Sequence, residues 1–187
     1  MVRLVAAFAA LAAFANVGCG TPDSQVFGGI AGPTGIPNAF INDVGSAIAG
    51  IGNFTDSGGN TVQLDVFILT DRKNLCVTIE RRPDYFRNPP EAFVALVMIG
   101  PLDRLGTFRV GAANTGATLM VTAGPGNEVT RYPGSGGSFS VRDLNIKPGG
   151  DGTGTFDLGF VDLGGLAHEV FGKFKTRSCA AIGNVVF

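Results

Sequence analysis

The chemistry open to this chain rests on few groups: one histidine, three cysteines, and 15 acidic side chains against 14 basic ones. A Ser-His-Asp relay needs an imidazole held by a carboxylate beside a nucleophile. His168 is the sole histidine, and no Gly-x-Ser-x-Gly surrounds any serine. A solvated or sheet-edge His168 is therefore expected, and no catalytic residue is assigned. Two carboxylates flanking a cleft would suit glycoside hydrolysis. Asp157, Asp162 and Glu169 lie on segments that read as strands, where outward-facing charge is the expectation. Asp151-Gly-Thr-Gly-Thr-Phe-Asp157 resembles a calcium loop only superficially. It lacks the D-x-[DN]-x-[DN]-G pattern and the bidentate Glu that hard cations favour. Gly29-Ile-Ala-Gly-Pro-Thr-Gly35 is Gly-rich, but Pro33 interrupts it and no strand-then-helix context makes it a phosphate cradle. No Cys-x-x-Cys pair accompanies the lone His168, so zinc is not expected. Neither a metal nor a cofactor is expected.

One segment has binding character. Glu80-Arg-Arg-Pro-Asp-Tyr-Phe-Arg87 brings Arg81, Arg82 and Arg87 together with Tyr85 and Phe86. Arg and aromatic residues are enriched in interface hot spots, and Arg offers a fork of donors to anions. As an exposed loop it would take a protein or an anionic glycan. The competing expectation is a solvated loop whose aromatics cover the end of the domain. The net charge of −1 gives no basic excess that would point to nucleic acid.

The N-terminus reads as an export signal. Arg3 is the only charge before Asp23, and Leu4–Ala15 is apolar throughout. Such a run is too short for a membrane span of roughly 20 residues and suits a signal-peptide core. Two cleavage sites compete. Ala13-Phe14-Ala15 fits ordinary signal peptidase, with cleavage before Asn16. Val17-Gly18-Cys19 fits the end of a bacterial lipobox, in which the thiol is acylated, although Asn16 stands where that motif has an aliphatic residue. Lipid attachment at Cys19 is the expectation, with 1–18 as signal peptide and membrane attachment through the lipid. A secreted or periplasmic soluble form is the alternative. Cysteine arithmetic bears on the choice: if Cys19 carries lipid, Cys76 and Cys179 remain as an even pair in an oxidising compartment. A bridge between them or two buried free thiols are the alternatives.

The elements that must hold these groups read as strands. Gly is abundant (29 residues), Phe (15) supplies most aromatic weight, and Trp is absent. Residues 19–37 read as tether and irregular entry, and 38–187 as one β-rich domain. Thr61–Leu69 begins alternating and ends apolar, as a strand entering the core does. A turn and one helical turn are expected around Leu75-Cys76. Ala92–Ile99 is a continuous apolar run between Pro90 and Gly100-Pro101, hence a buried strand. Gly106–Val110 and Ala117–Thr122 are shorter strands. Gly124–Asn127 and Pro133–Gly137 read as turns. Within Ser138–Ile146 the apolar pattern slips by one residue, which predicts a bulge near Arg142-Asp143. Phe156, Leu158 and Phe160 share an inward face, as do Val170, Gly172 and Phe174. The expected fold is all-β and mainly antiparallel, a β-sandwich or partly closed barrel with Gly-rich turns and at most a short helix.

Ile68-Leu-Thr-Asp-Arg-Lys-Asn-Leu-Cys76 resembles a strand, Asp and Leu-Cys segment of exported lipoproteins common in myxobacteria and related bacteria. Gly154-Thr-Phe-Asp-Leu-Gly-Phe160 and Gly172-Lys-Phe-Lys-Thr-Arg-Ser-Cys179 resemble the end of the same group. The resemblance implies an exported β-sandwich-like lipoprotein with Cys76 paired to Cys179, and it implies no activity. The function expected is that of a non-enzymatic, envelope-associated binding or structural domain. A secreted hydrolase or carbohydrate-active module, and a hydrophobe carrier in a β-barrel, are the alternatives.

Overall fold

The computed structural model describes residues 24–55 and 58–187. The signal peptide expected at 1–18, both candidate cleavage sites and Cys19 lie outside the described residues. The strands, in chain order, are β1 (Gln25–Ile30), β2 (Ala39–Phe40), β3 (Ser46–Thr55), β4 (Thr61–Thr70), β5 (Phe93–Pro101), β6 (Gly106–Arg109), β7 (Gly116–Thr122), β8 (Thr130–Leu144), β9 (Asp151–Val161) and β10 (Ala167–Ser178). One short helix, α1 (Leu75–Arg81), follows β4, and a 3-10 helix, Ala180–Asn184, follows β10. The fold is all-β, mainly antiparallel and sandwich-like.

Hydrogen-bonded neighbours run β3-β4-β5-β7-β8-β9-β10. The circuit returns to β3 through a short parallel link, Arg177 with Ile48 and Ser178 with Ala49. β1 lies along the other side of β10, and β6 edges β8. Two apolar clusters result. Phe67, Leu69, Leu96, Met98, Leu119, Val121, Phe139, Phe156, Leu158, Phe160, Val170 and Phe174 belong to one. The Phe67 ring lies 6.1 Å from Phe139 and 5.2 Å from Phe174, so aromatic rings fill the space between the layers. The second cluster lies on the opposite faces of β4 and β5, where Val66, Ile68, Phe93, Ala95 and Val97 meet Leu75, Ile79 and Ile182.

This arrangement explains two sequence patterns. β4 and β5 are covered on both faces, and their buried stretches are apolar nearly residue by residue. β9 packs on one face only and alternates strictly between buried and more accessible positions. The bulge expected near Arg142-Asp143 is present as a register shift between Val141 and Asp143. Leu75 and Ile79, one turn apart on α1, bury the apolar side of the helix.

Two expectations require correction. The irregular entry over 19–37 contains β1, whose residues 25–28 pair with β10. Composition hid this strand because Gly28 and Gly29 interrupt its apolar residues Val26, Phe27 and Ile30 and because it is held by a partner far along the chain. Pro133–Gly137 is no turn but the middle of β8. There β8 stops pairing with β7, at Pro133, and pairs with β9 from Gly134 onward. A proline, which has no N–H to give, suits that departure. Gly137 has φ +87°, and a Cβ there would collide with the Asp157 carbonyl. The glycines let one long strand bend between layers.

The Cys76–Cys179 disulfide is formed, with a Cα–Cα separation of 5.7 Å. It ties α1 to the end of β10. The Cys179 N–H also donates to the Ala49 carbonyl at 2.7 Å, which seats the C-terminal turn on β3.

Candidate functional site

The segment expected to form a recognition loop is divided by the fold. Tyr85 and Phe86 are 0% exposed. Their rings sit 5.4 and 5.5 Å from Phe93, and Phe86 stacks on Phe187 at 5.6 Å. Tyr85 is therefore a core residue whose hydroxyl reaches the Glu91 carboxylate at 3.4 Å. Burial pushes its phenol pKa well above the ordinary tyrosine value. Of the two expectations for this segment, the one in which its aromatics cover the end of the domain holds, and the aromatic contact surface does not: Pro83 and the flanking charges are at the surface, while the second apolar cluster draws both rings inward. Arg81, Arg82 and Arg87 remain exposed. Arg82 and Arg87 line a cleft of about 580 Å³ with Asn88, Pro90, Asn127 and Glu128. Both guanidiniums also reach backbone carbonyls, of Asn88 and Phe187 respectively, each at 3.4 Å.

The candidate acid–base groups do not form one site: Asp162 and His168 pair with each other beside the β9–β10 turn, while Asp157 and Glu169 are diagonal neighbours on the outer face of the two strands. His168 Nε2 and Asp162 Oδ2 are hydrogen-bonded at 2.9 Å. The other oxygen of Asp162 accepts the N–H groups of Gly164 at 2.8 Å and Leu166 at 2.9 Å. The bond from His168, then those backbone donors, holds the Asp162 carboxyl below its usual pKa. This pair clasps the β9–β10 hairpin. Asp157 and Glu169 are exposed, paired across the strands with Phe171 and Gly159 respectively. Alternation along β10 sends Glu169 and its neighbour His168 to opposite faces. Asp151–Asp157 is extended strand rather than a loop, with its two carboxylates at its ends. Among the described residues, no group of three or more His, Cys, Asp or Glu side chains is placed to hold a metal ion.

What the strands do bring together is a polar face carrying two aromatic rings. Cross-strand pairing aligns Phe27, Phe171, Asp157 and Ser138 in one row across β1, β10, β9 and β8. The adjacent row is Gln25, Lys173, Thr155 and Ser140. Phe27 and Phe171 stack at 5.5 Å with 26° between ring planes. They nevertheless stay 51% and 46% exposed. Together these side chains line a depression of about 480 Å³. Ser140 and Thr107 share a hydrogen bond of 2.7 Å, which orients the hydroxyls at its rim. The face offers an aromatic wall, neutral donors and acceptors, one carboxylate and one ammonium. Sequence reasoning missed it. The alternation of Phe171 against Val170 and Phe174 signals an outward ring, but its partner Phe27 lies in the stretch read as irregular.

Asp65 is a second group that sequence reasoning passed over. It is 2% exposed, and its Oδ2 accepts the Asp103 N–H at 2.8 Å. Its Oδ1 has no hydrogen-bond partner among the described residues. Burial pushes its carboxyl pKa up to about 6. It sits midway along β4, opposite Gly100 of β5, and fixes the turn after β5 through Asp103, a structural task rather than acid–base work.

Comparison of the chain with protein-family models, curated proteins and solved structures found no match.

Proposed function

We propose that this protein is an exported, lipid-anchored envelope domain that acts by binding rather than by catalysis. The observation that carries the reading is the Cys76–Cys179 bridge. It accounts for two of three cysteines and leaves Cys19, just past the apolar leader, as the odd thiol available for acylation. A disulfide also accords with an oxidising compartment. Asp162 and His168 are engaged with each other and with the hairpin backbone, and of the exposed pair Asp157 and Glu169 only Asp157 lines the depression, which argues against a hydrolase. The aromatic filling between the layers argues against a hydrophobe carrier.

The anchor also orients the domain. Ser24 Oγ donates to the Lys175 carbonyl at 3.1 Å and accepts the Lys175 N–H at 2.9 Å. Only residues 20–23 separate Ser24 from Cys19, a reach of at most roughly 18 Å at ~3.6 Å per residue. The Lys175–Arg177 end of β10 then faces the membrane, and the hairpin tip bearing Leu163 and Leu166 points away. Detergent phase partitioning tests the anchor. The full chain, expressed with its own leader in a Gram-negative host, is expected in the detergent phase. Cys19→Ala is expected in the aqueous phase. Wild-type protein in the aqueous phase would overturn the reading.

A further inference from the structure

We propose that the outer face of β8, β9, β10 and β1 binds a neutral glycan strand of equatorially substituted hexopyranose units. The inference rests on the reading of the protein as a binding domain and names the ligand class. It begins with Phe27 and Phe171. Their cross-strand stacking stabilises the sheet, yet it still leaves 51% and 46% of each residue in solvent. Covering them would release further apolar surface from water.

The surroundings select the occupant. Beside the rings stand the hydroxyls of Ser138, Ser140 and Thr155, with Asp157 as acceptor and Lys173 as donor. Such a mixture suits a molecule that is apolar on one face and rimmed with hydroxyls, as a β-linked hexopyranose is: its axial C–H groups meet an aromatic ring while equatorial hydroxyls reach the polar rim. Charge argues the same way, because Asp157 balances Lys173 within the depression and the exposed Glu169 and Lys175 add one charge of each sign along the same face of β10. Size is compatible with this class, since about 480 Å³ accommodates a few sugar units. An open depression on one sheet face gives modest affinity, with Kd on the order of 10⁻⁴ M.

Isothermal titration of the purified chain tests this, with cellohexaose and chitohexaose as neutral probes and a heparin hexasaccharide as the anionic one. At least one neutral probe should bind and should keep its affinity in 0.5 M NaCl. Phe171→Ala and Phe27→Ala should each weaken it about tenfold or more. Leu163→Ala, at the distant hairpin tip, should leave it unchanged. Thermal melts establish that each variant is folded. Because both rings are half exposed, Phe27→Ala alone suffices if Phe171→Ala unfolds. Absence of neutral binding, salt-sensitive binding of heparin alone, or full affinity in folded Phe171→Ala would overturn the inference, and the lipid-anchored binding domain would still stand. New reducing ends released from the probe would instead overturn the non-catalytic reading and leave the glycan assignment in place.

Discussion

Asp65 shows how a single side chain couples this fold to pH. In the unfolded chain its carboxyl titrates near 3.9, whereas in the fold burial raises it to about 6. The native state therefore binds more protons than the unfolded state between these values. Linkage then makes this residue's contribution fully favourable below about pH 4 and diminishing as pH rises toward 6. The two-unit displacement corresponds to roughly 3 kcal/mol. Asp65→Asn retains an acceptor for the Asp103 N–H and removes the titration. Urea midpoints from pH 4 to 7 should show wild type losing stability relative to the variant as pH rises, with parallel profiles contradicting the assignment. None of this was legible in the sequence, where Asp65 sits among the alternating residues of TVQLDVFIL and reads as an outward charge. For Tyr85 and Phe86 the sequence left two readings open, because Pro83 and the arginines signal surface while burial is decided by Phe93 and Phe187 arriving from elsewhere in the chain.

At the scale of elements, β9 and β10 were the most legible part of the molecule. Their period-2 patterns name the inward residues Phe156, Leu158, Phe160, Val170 and Phe174, all of which are buried. Pairing adds what the pattern alone lacks. Gly172 lies opposite Phe156, and Gly154 opposite Phe174. Each Gly-x-Phe strand thus lays its ring over the glycine of the other. A Cβ on Gly172 would meet Phe156 Cζ at 2.8 Å and would also collide with the Gln25 carbonyl of β1. Gly172→Ala should cost about 1–3 kcal/mol, the usual range for forced overpacking, read as a lower denaturation midpoint. Unchanged stability would contradict the interlock. The continuous run of β5 was equally legible, because a strand covered on both faces has nowhere to place polar residues. β1 was not: its identity depends on β10, and Gly28 and Gly29 disguise it as a loop. The polar depression was lost with it, since Phe27 supplies half of the aromatic wall.

At the scale of the whole molecule, the bridge joins α1 to the strand that closes the circuit. Its two cysteines are 103 residues apart in sequence. Closing a loop of about 100 residues in the unfolded chain is worth ~4.7 kcal/mol in the chain-entropy model, and loss of a native bridge typically costs 2–5 kcal/mol. The double variant Cys76→Ser/Cys179→Ser should lose stability in that range by urea denaturation. Loss of less than about 1 kcal/mol would show that the α1 and C-terminal contacts hold the circuit shut unaided. The same pairing bears on the proposed lipid anchor, because it sets Cys19 apart from the other two cysteines. The most direct test is the intact mass of the mature protein recovered from membranes under non-reducing conditions. The expected result is a chain beginning at an acylated Cys19, two hydrogens lighter than its reduced form. An unmodified chain beginning at Asn16, or one with free Cys76 and Cys179 thiols, would contradict it.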